Sequence, residues 1–381
     1  MSSGSFPPHV EAARCLLTSC LSSDRNRCAE AVRMLGVDWL RRQRLAPLIW
    51  HACNSAVTLP PELSLPLQQA YYSAAGDAEL HRRELAQILH QFNSRQIQAI
   101  VFKGAALAYS VYPDPACRTM GDIDFWVEGE DIERARSALS EMGYKSFRKL
   151  DRPPALMAMF QGEIGLRHSQ PEYGLVELHW GIFPGEWLRR AARINDLAAI
   201  HARVVVTELT GETAFVLSPE DAILQSAMHT AVNHQMSMSP LRGLMDIVLL
   251  ARHNNIDWVI IVQRARAWRV ATPLWLVLSL AVDLAGLHEA AETARRLQPS
   301  SLRRWLIGRF VGAESLVMMH ELSTSKWRYI FLLLLVDRAQ DAARLVFRAL
   351  WPERTWLIAR YGRYAFGTRL RHLLDAARGK I

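Results

Sequence analysis

The chain has 381 residues, of which 50% are hydrophobic and 22% charged, and a formal net charge of +8. That length allows two or three domains with real cores, and the composition excludes a disordered or fibrous protein. Its five cysteines (Cys15, Cys20, Cys28, Cys53 and Cys117) include no Cys-x-x-Cys pair. Neither a disulfide framework nor a zinc knuckle is signalled, which fits a reducing cytosol. The N-terminus lacks the basic and apolar regions of a signal peptide, so a cytoplasmic location is expected.

Residues 9–93 read as mostly helical. Leu85, Ile88, Leu89 and Phe92 follow the i, i+3, i+4, i+7 spacing of a one-sided helix. Pro60-Pro61 and Pro66 are expected to divide this region into two helical sets. It shows no polar constellation suited to catalysis. The pattern changes at 96–103, a short β-branched run ending at Gly104, followed by a small-residue helix over Ala105–Val111 and a turn-rich loop to Arg118. A strand is expected over 122–127, an amphipathic helix over Glu130–Met142 stopped by Gly143, and a strand over Tyr144–Leu150. Glu163–His168 and Leu175–Ile182 read as paired strands, and Arg203–Thr210 with Thr213–Leu217 as a hairpin turning at Gly211-Glu212.

From Ser218 onward the pattern is helical, opening on the capping box Ser218-Pro219-Glu220-Asp221. Further helices are expected over 241–253, 257–268, 272–286, 300–320, 326–350 and 368–378. The uncharged run Val270–Val282 is too short to span a bilayer and reads as a core helix, with Thr272-Pro273 as its N-cap and first turn. Residues 338–381 hold ten Lys/Arg against three acids, a net +7. Such a surface suits an anionic partner or is simply a solvated arginine-rich helix face. The expected fold class is α+β: a helical segment at 1–93, a core with a small mixed sheet at 94–217, and a larger helical domain with a basic tail at 218–381.

Chemistry concentrates around Asp122-Ile123-Asp124. On a strand, side chains alternate, so Asp122 and Asp124 share one face while Ile123, Phe125 and Val127 bury the other. Paired carboxylates at a water-accessible edge suit Mg²⁺, although a bare Asp-x-Asp is more often two solvated acids. Lys103-Gly104 sits at a strand-to-helix turn, where glycine admits close approach of phosphate and the helix N-terminus offers free N–H groups. Arg118, in a loop with Gly121, is either a phosphate ligand or a salt-bridge partner of Asp114 or Asp122. Glu177 and His179 share one face of a later strand. Glu177 can complete a metal site or act as general base, and a structural hydrogen bond is the expected role of His179. His229 and His234 are five apart, about 140° around an α-helix, and make a poor metal pair. Asp246 and Asp257 read as a helix partner and an N-cap.

As an ordered set these pieces resemble the nucleotidyltransferase superfamily of the DNA polymerase β type. The closer likeness is to a bacterial nucleotidyltransferase family left uncharacterised. It is carried by Phe102-Lys103-Gly104-Ala105-Ala106, by Tyr112 through Val127 with Arg118, Gly121, Asp122 and Asp124, and by Glu177-Leu-His179-Trp180. The likeness covers roughly residues 80–290. It implies an enzyme that moves a nucleoside monophosphate from a nucleoside triphosphate to a hydroxyl on a small molecule, a peptide or an RNA, releasing pyrophosphate. Asp122, Asp124 and Glu177 would be catalytic and hold Mg²⁺, or Mn²⁺ in its place, while Lys103, Gly104, Arg118 and Gly121 would bind the nucleotide. The superfamily usually places serine or glycine after the turn glycine, where this chain has Ala105. That departure supports an alternative, a catalytically weakened nucleotide-binding accessory protein that docks a partner enzyme or peptide.

Overall fold

The computed structural model describes residues 6–20, 25–53, 59–147, 155, 162–170, 172–183, 185–194, 197–319 and 325–378. It is an α+β protein built on one seven-stranded mixed sheet. The strands are β1 (Ile100–Phe102), β2 (Asp122–Trp126), β3 (Tyr144–Phe147), β4 (Glu163–His168), β5 (Leu175–His179), β6 (Val205–Leu209) and β7 (Glu212–Val216). Their order is β3-β4-β5-β2-β1-β7-β6. β2 runs parallel to β5 and β1 parallel to β7, while the remaining pairs are antiparallel. The expected continuation of β3 through 148–150 lies outside the described residues.

The alternation read in β2 is what fixes this sheet. Ile123, Phe125 and Val127 are all fully buried and pack with Val101, Val176 and Leu178 against Leu85, Ile88, Leu89 and Phe92 of the 34-residue helix Pro61–Ser94. Ala135, Ala138 and Leu139 of helix Ile132–Glu141 complete that layer. Each large side chain so buried is worth about 1.5–3 kcal/mol of transfer free energy, enough to hold the register of the central strands. The other side of the sheet, through Ile100, Phe102 and Trp126, joins a larger core that also contains the N-terminal helices and the helices after Ser218.

Several local expectations need correction. Pro66 does not divide the N-terminal region but lies inside the continuous helix. It forfeits one ladder donor, a small loss against the buried stripe the helix carries. The β6–β7 turn falls on Thr210-Gly211, both with positive φ (57° and 88°), one residue earlier than expected. Helix Ala271–Ala285 is buried as anticipated, but Thr272 is not its cap. The carboxylate of Asp337 instead accepts from the Ala271 and Thr272 amides at 2.8 and 2.7 Å. The expected helix at 300–320 is divided into Ser301–Gly308 and Ala313–Val317, with residue 320 outside the described residues. The one expected at 326–350 is divided into Ser325–Leu334 and Ala339–Leu350, with the capping Asp337 in the break. Helix Arg354–Tyr361 had no clear sequence signal. Among the described residues no helix is long and apolar enough to cross a membrane.

Candidate active site

Strand register brings the acids together. Asp124 pairs with Phe102 on β1 and with Glu177 on β5, and Glu163 on β4 pairs with His179. Directly paired residues project to the same face, so Asp124 and Glu177 lie side by side. Neither sits at a water-accessible edge: Asp124 is 2% exposed, Glu177 5% and His179 0%. Asp122, at the start of β2, is only partly buried and lines the cleft above them. The metal-competent cluster among the described residues is Asp124, Glu177 and His179, whose ligand atoms lie within 4.8 Å of one another. The expected set had Asp122 where the cluster has His179.

Lys103, at the turn that follows β1, closes this cluster. Its Nζ donates to Asp124 Oδ1 at 2.6 Å and lies 3.5 Å from His179 Nε2, while that histidine nitrogen is 2.8 Å from the same Asp124 oxygen. Glu177 Oε2 is 3.6 Å from His179 Nε2, and Glu163 Oε2 is 3.4 Å from Nδ1. Burial works against the Lys103 charge, but Asp124, Glu177 and Glu163 outweigh it and hold the ammonium above its usual range. Burial likewise opposes ionised Asp124, and Lys103 and His179 overcome that, keeping its carboxyl below the ordinary range. For His179, burial and Lys103 favour the neutral ring, yet hydrogen bonds to Asp124 and Glu177 prevail and raise its affinity for a proton. The expected structural role of His179 is therefore a bridge between both carboxylates.

The turn before the helix Lys103–Ser110 has an unusual division of labour. Lys103 adopts φ 55°, the left-handed region, whereas Gly104 does not. A non-glycine residue there is strained by about 1–3 kcal/mol and persists only where surrounding contacts impose it, here the buried ion pair with Asp124. Gly104 serves proximity instead: a Cβ on it would lie 3.2 Å from Met120 Cβ and 3.6 Å from Arg118 Nη1. Gly121 has nothing within 4 Å of a Cβ position and faces the cleft.

The Arg118 fork engages Asp246, Nε to Oδ1 at 2.7 Å and Nη2 to Oδ2 at 2.9 Å, a partner far along the chain rather than one in its own loop. Its Nη1 donates to the Thr119 carbonyl at 2.8 Å, and Tyr112 donates to Asp246 at 2.7 Å. Burial alone would weaken the Arg118 charge, but Asp246 raises its proton affinity overall. Asp246 is thus a helix partner as expected, and Asp257 caps the helix Trp258–Ala267.

A cleft of about 650 Å³ opens over these residues. Asp122, Asp124, Glu163 and Glu177 reach it from the strands, and Arg42, Arg44, Arg118 and Arg242 from helices and loops. Arg42, Arg44 and Arg242 were not among the expected site residues. The N-terminal region therefore contributes to the site, contrary to its bland sequence. Four of the cleft residues other than glycine have positive φ: Arg44, Lys103, Ser239 and Met319.

His229 and His234 also line the cleft, and here the α-helical geometry assumed for them fails. His229–Asn233 forms a π-helical turn with the His234 amide bonded to the His229 carbonyl at 2.9 Å. In a π-turn residues five apart stack, and the two rings approach to 4.1 Å between centroids. Burial first, then Arg242 and Lys103, pushes His234 down to about 4. His229 is held well below its ordinary value by burial and then by Lys103. Gly243 permits the neighbouring helix to approach this turn; a Cβ there would collide with Thr230 Oγ1.

Residues 36–286 match a family described as an uncharacterised nucleotidyltransferase, and the chain belongs to that family. The match begins well before residue 80 and so includes Arg42 and Arg44. No curated protein sequence matches. Among solved structures, a lincomycin-bound lincosamide antibiotic adenylyltransferase, LnuA, is similar over 45% of this chain and 97% of its own length. The identity is 16% and the TM-score 0.30.

Proposed function

We propose that this chain transfers a nucleoside monophosphate from a nucleoside triphosphate to a hydroxyl acceptor in a Mg²⁺-dependent reaction that releases pyrophosphate. The carrying observation is the division of one cleft into buried carboxylates from the strands and arginines from the helices and loops. Carboxylates suit a hard divalent cation and arginines suit phosphate. Asp124 and Glu177, with Asp122 at the rim, fit Mg²⁺ or Mn²⁺: their oxygens converge, and Asp124 already faces a cation in Lys103. A divalent ion held there would neutralise developing charge on phosphate oxygens.

The remaining roles fall to the chain itself. Lys103 and His179 keep Asp124 ionised and oriented. Lys103, Gly104, Arg118 and Gly121 form the nucleotide side of the cleft, and Asp246 fixes the Arg118 fork. An acceptor hydroxyl attacks the α-phosphorus; the new O–P bond forms as the α–β bridging bond breaks, pyrophosphate leaves, and Glu177 accepts the hydroxyl proton. The order of turn glycine, Asp122-x-Asp124 and Glu177 supports placement in the DNA polymerase β-type superfamily. We read 1–93, 94–217 and 218–381 as three segments that each contribute to one cleft. The acceptor is a small molecule, peptide or RNA, and the arginines of 338–381 suit one that carries negative charge.

Pyrophosphate release with candidate acceptors tests this reading, alongside calorimetric binding of nucleotide and Mg²⁺ to the native chain and an Asp122→Asn/Asp124→Asn double variant. Unchanged Mg²⁺–nucleotide binding by the double variant would sink the metal assignment. Binding without turnover on any acceptor would favour the second reading, a catalytically weakened nucleotide-binding accessory protein docking a partner enzyme or peptide. Ala105 after Gly104, which offers no hydroxyl at the turn, is the observation on its side.

A further inference from the structure

Arg242 is the one cleft arginine that is both buried and left with an unmet donor. It is 9% exposed, its Nη1 donates to the Thr119 carbonyl at 3.0 Å, and its buried Nε has no hydrogen-bond partner. Arg118 Nη1 donates to that same carbonyl, so the two guanidinium groups converge. Asp246 binds Arg118 bidentately, and no ion pair of Arg242 occurs among the described residues. Arg44 adds another positive charge to the same cleft. Arg242 also lies in the first turn of the helix Pro240–His253, the end where the helix dipole disfavours a cation. Burial, then repulsion from Arg118, pushes its pKa down to about 9. A buried guanidinium with like charge beside it and an unmade hydrogen bond is costly unless an anion completes it.

The location indicates which anion. Arg118 adjoins Gly104, at 3.6 Å from a Cβ position there, so this arginine pair borders the helix N-terminus where the nucleotide reading puts phosphate. Asp246 and the Thr119 carbonyl engage all three nitrogens of Arg118, whereas Arg242 keeps a buried Nε with no partner.

We propose that Arg242, supported by Arg118 and Arg44, is the receptor for the polyphosphate tail of the nucleotide, taking over the contact that a hydroxyl residue after Gly104 would otherwise make. This rests on the nucleotidyl-transfer reading, which places the triphosphate at the Gly104 turn. It makes the helix Pro240–His253 part of the nucleotide site.

The test uses tripolyphosphate in EDTA, titrated calorimetrically into the full chain, so that metal and turnover are not needed. Charge-assisted hydrogen bonds set the scale: Arg242→Gln should weaken binding roughly 10- to 100-fold, Arg242→Lys should recover part of that, and Arg354→Gln, at an exposed arginine far along the chain, should match wild type. Thermal unfolding of each variant checks that it folds. Binding of tripolyphosphate by Arg242→Gln equal to wild type, or none by wild type, overturns the proposal. A second arm separates sources of phosphate. In steady-state turnover Arg242→Gln should raise KM for the nucleoside triphosphate; a rise confined to KM for a phosphorylated acceptor overturns the assignment to the nucleotide tail. Arg242-dependent tripolyphosphate binding without turnover on any acceptor would leave the receptor standing and count against catalysis alone.

Discussion

The carboxylate side and the arginine side of the cleft are built in contrasting ways. Asp122, Asp124 and Glu177 come from two adjacent parallel strands, and ladder register places them within a few side-chain widths. Arg42, Arg44, Arg118 and Arg242 come from positions spread over two hundred residues, on helices and loops brought together by the core that joins both ends of the chain. The buried Asp124 is satisfied internally, by Lys103 and His179. On the arginine side Asp246 pairs with Arg118, and the cleft arginines together remain in positive surplus. Under the proposed function, the sheet serves cation chemistry and the helices and loops anion recognition.

The largest expected effect breaks the sheet side. Asp124→Asn should lower the turnover of pyrophosphate release by roughly 10²–10³-fold or more, on the scale of losing a principal electrostatic contact, with a smaller change in KM for the nucleotide. If KM rose while kcat held, the two sides would have exchanged roles. Next, Asp246→Ala removes the counter-charge of the arginine side. Breaking a buried pair in this way costs about 3–5 kcal/mol, visible as a fall in the denaturant midpoint, and nucleotide binding should weaken with it. A stability change within about 0.5 kcal/mol would show that Arg118 and Arg242 are solvated after all.

Gly243→Ala sharpens the comparison at the junction of the π-turn and the Arg242 helix. The added methyl has to displace the Thr230 side chain, an overpacking cost of about 1–3 kcal/mol, and it should reduce nucleotide affinity even in the folded fraction. Smallest is a pH effect at His234. It is faced by Arg242, Lys103, Arg44 and Arg118, with the His229 ring tilted against it, and its folded pKa of about 4 lies below the ordinary 6.5. Between those values the unfolded chain binds more protons, so stability contributed by the neutral ring is present above pH 6.5 and lost as pH falls toward 4. His234→Gln should flatten the fall in melting temperature over that window; an unchanged slope would mean the arginines do not act on this ring.

Much of the sheet was legible because its determinants are local. Alternation in Asp122–Val127 separates acids from core residues whatever else the chain does. The helix over Leu85–Phe92 is equally readable, since one apolar stripe defines it. The pairing of His229 with His234 was not legible: an α-helical wheel separates them, and only a π-turn, which sequence periodicity does not mark, stacks them. Nor could the partner of Arg118 be found, because Asp246 lies 128 residues away and two nearer acids competed for it.

The sequence by itself determined that this chain carries Asp122-x-Asp124, a Lys103-Gly104 turn and Glu177 on strands, because side-chain periodicity and turn chemistry act over a few residues. Only the tertiary structure decided that His179 joins the acids, that Lys103 rather than Gly104 takes the left-handed backbone, and that Arg242 is left with an unmet donor. Those outcomes depend on strand register, on burial and on which charges meet across long sequence separations. A linear pattern does not encode them.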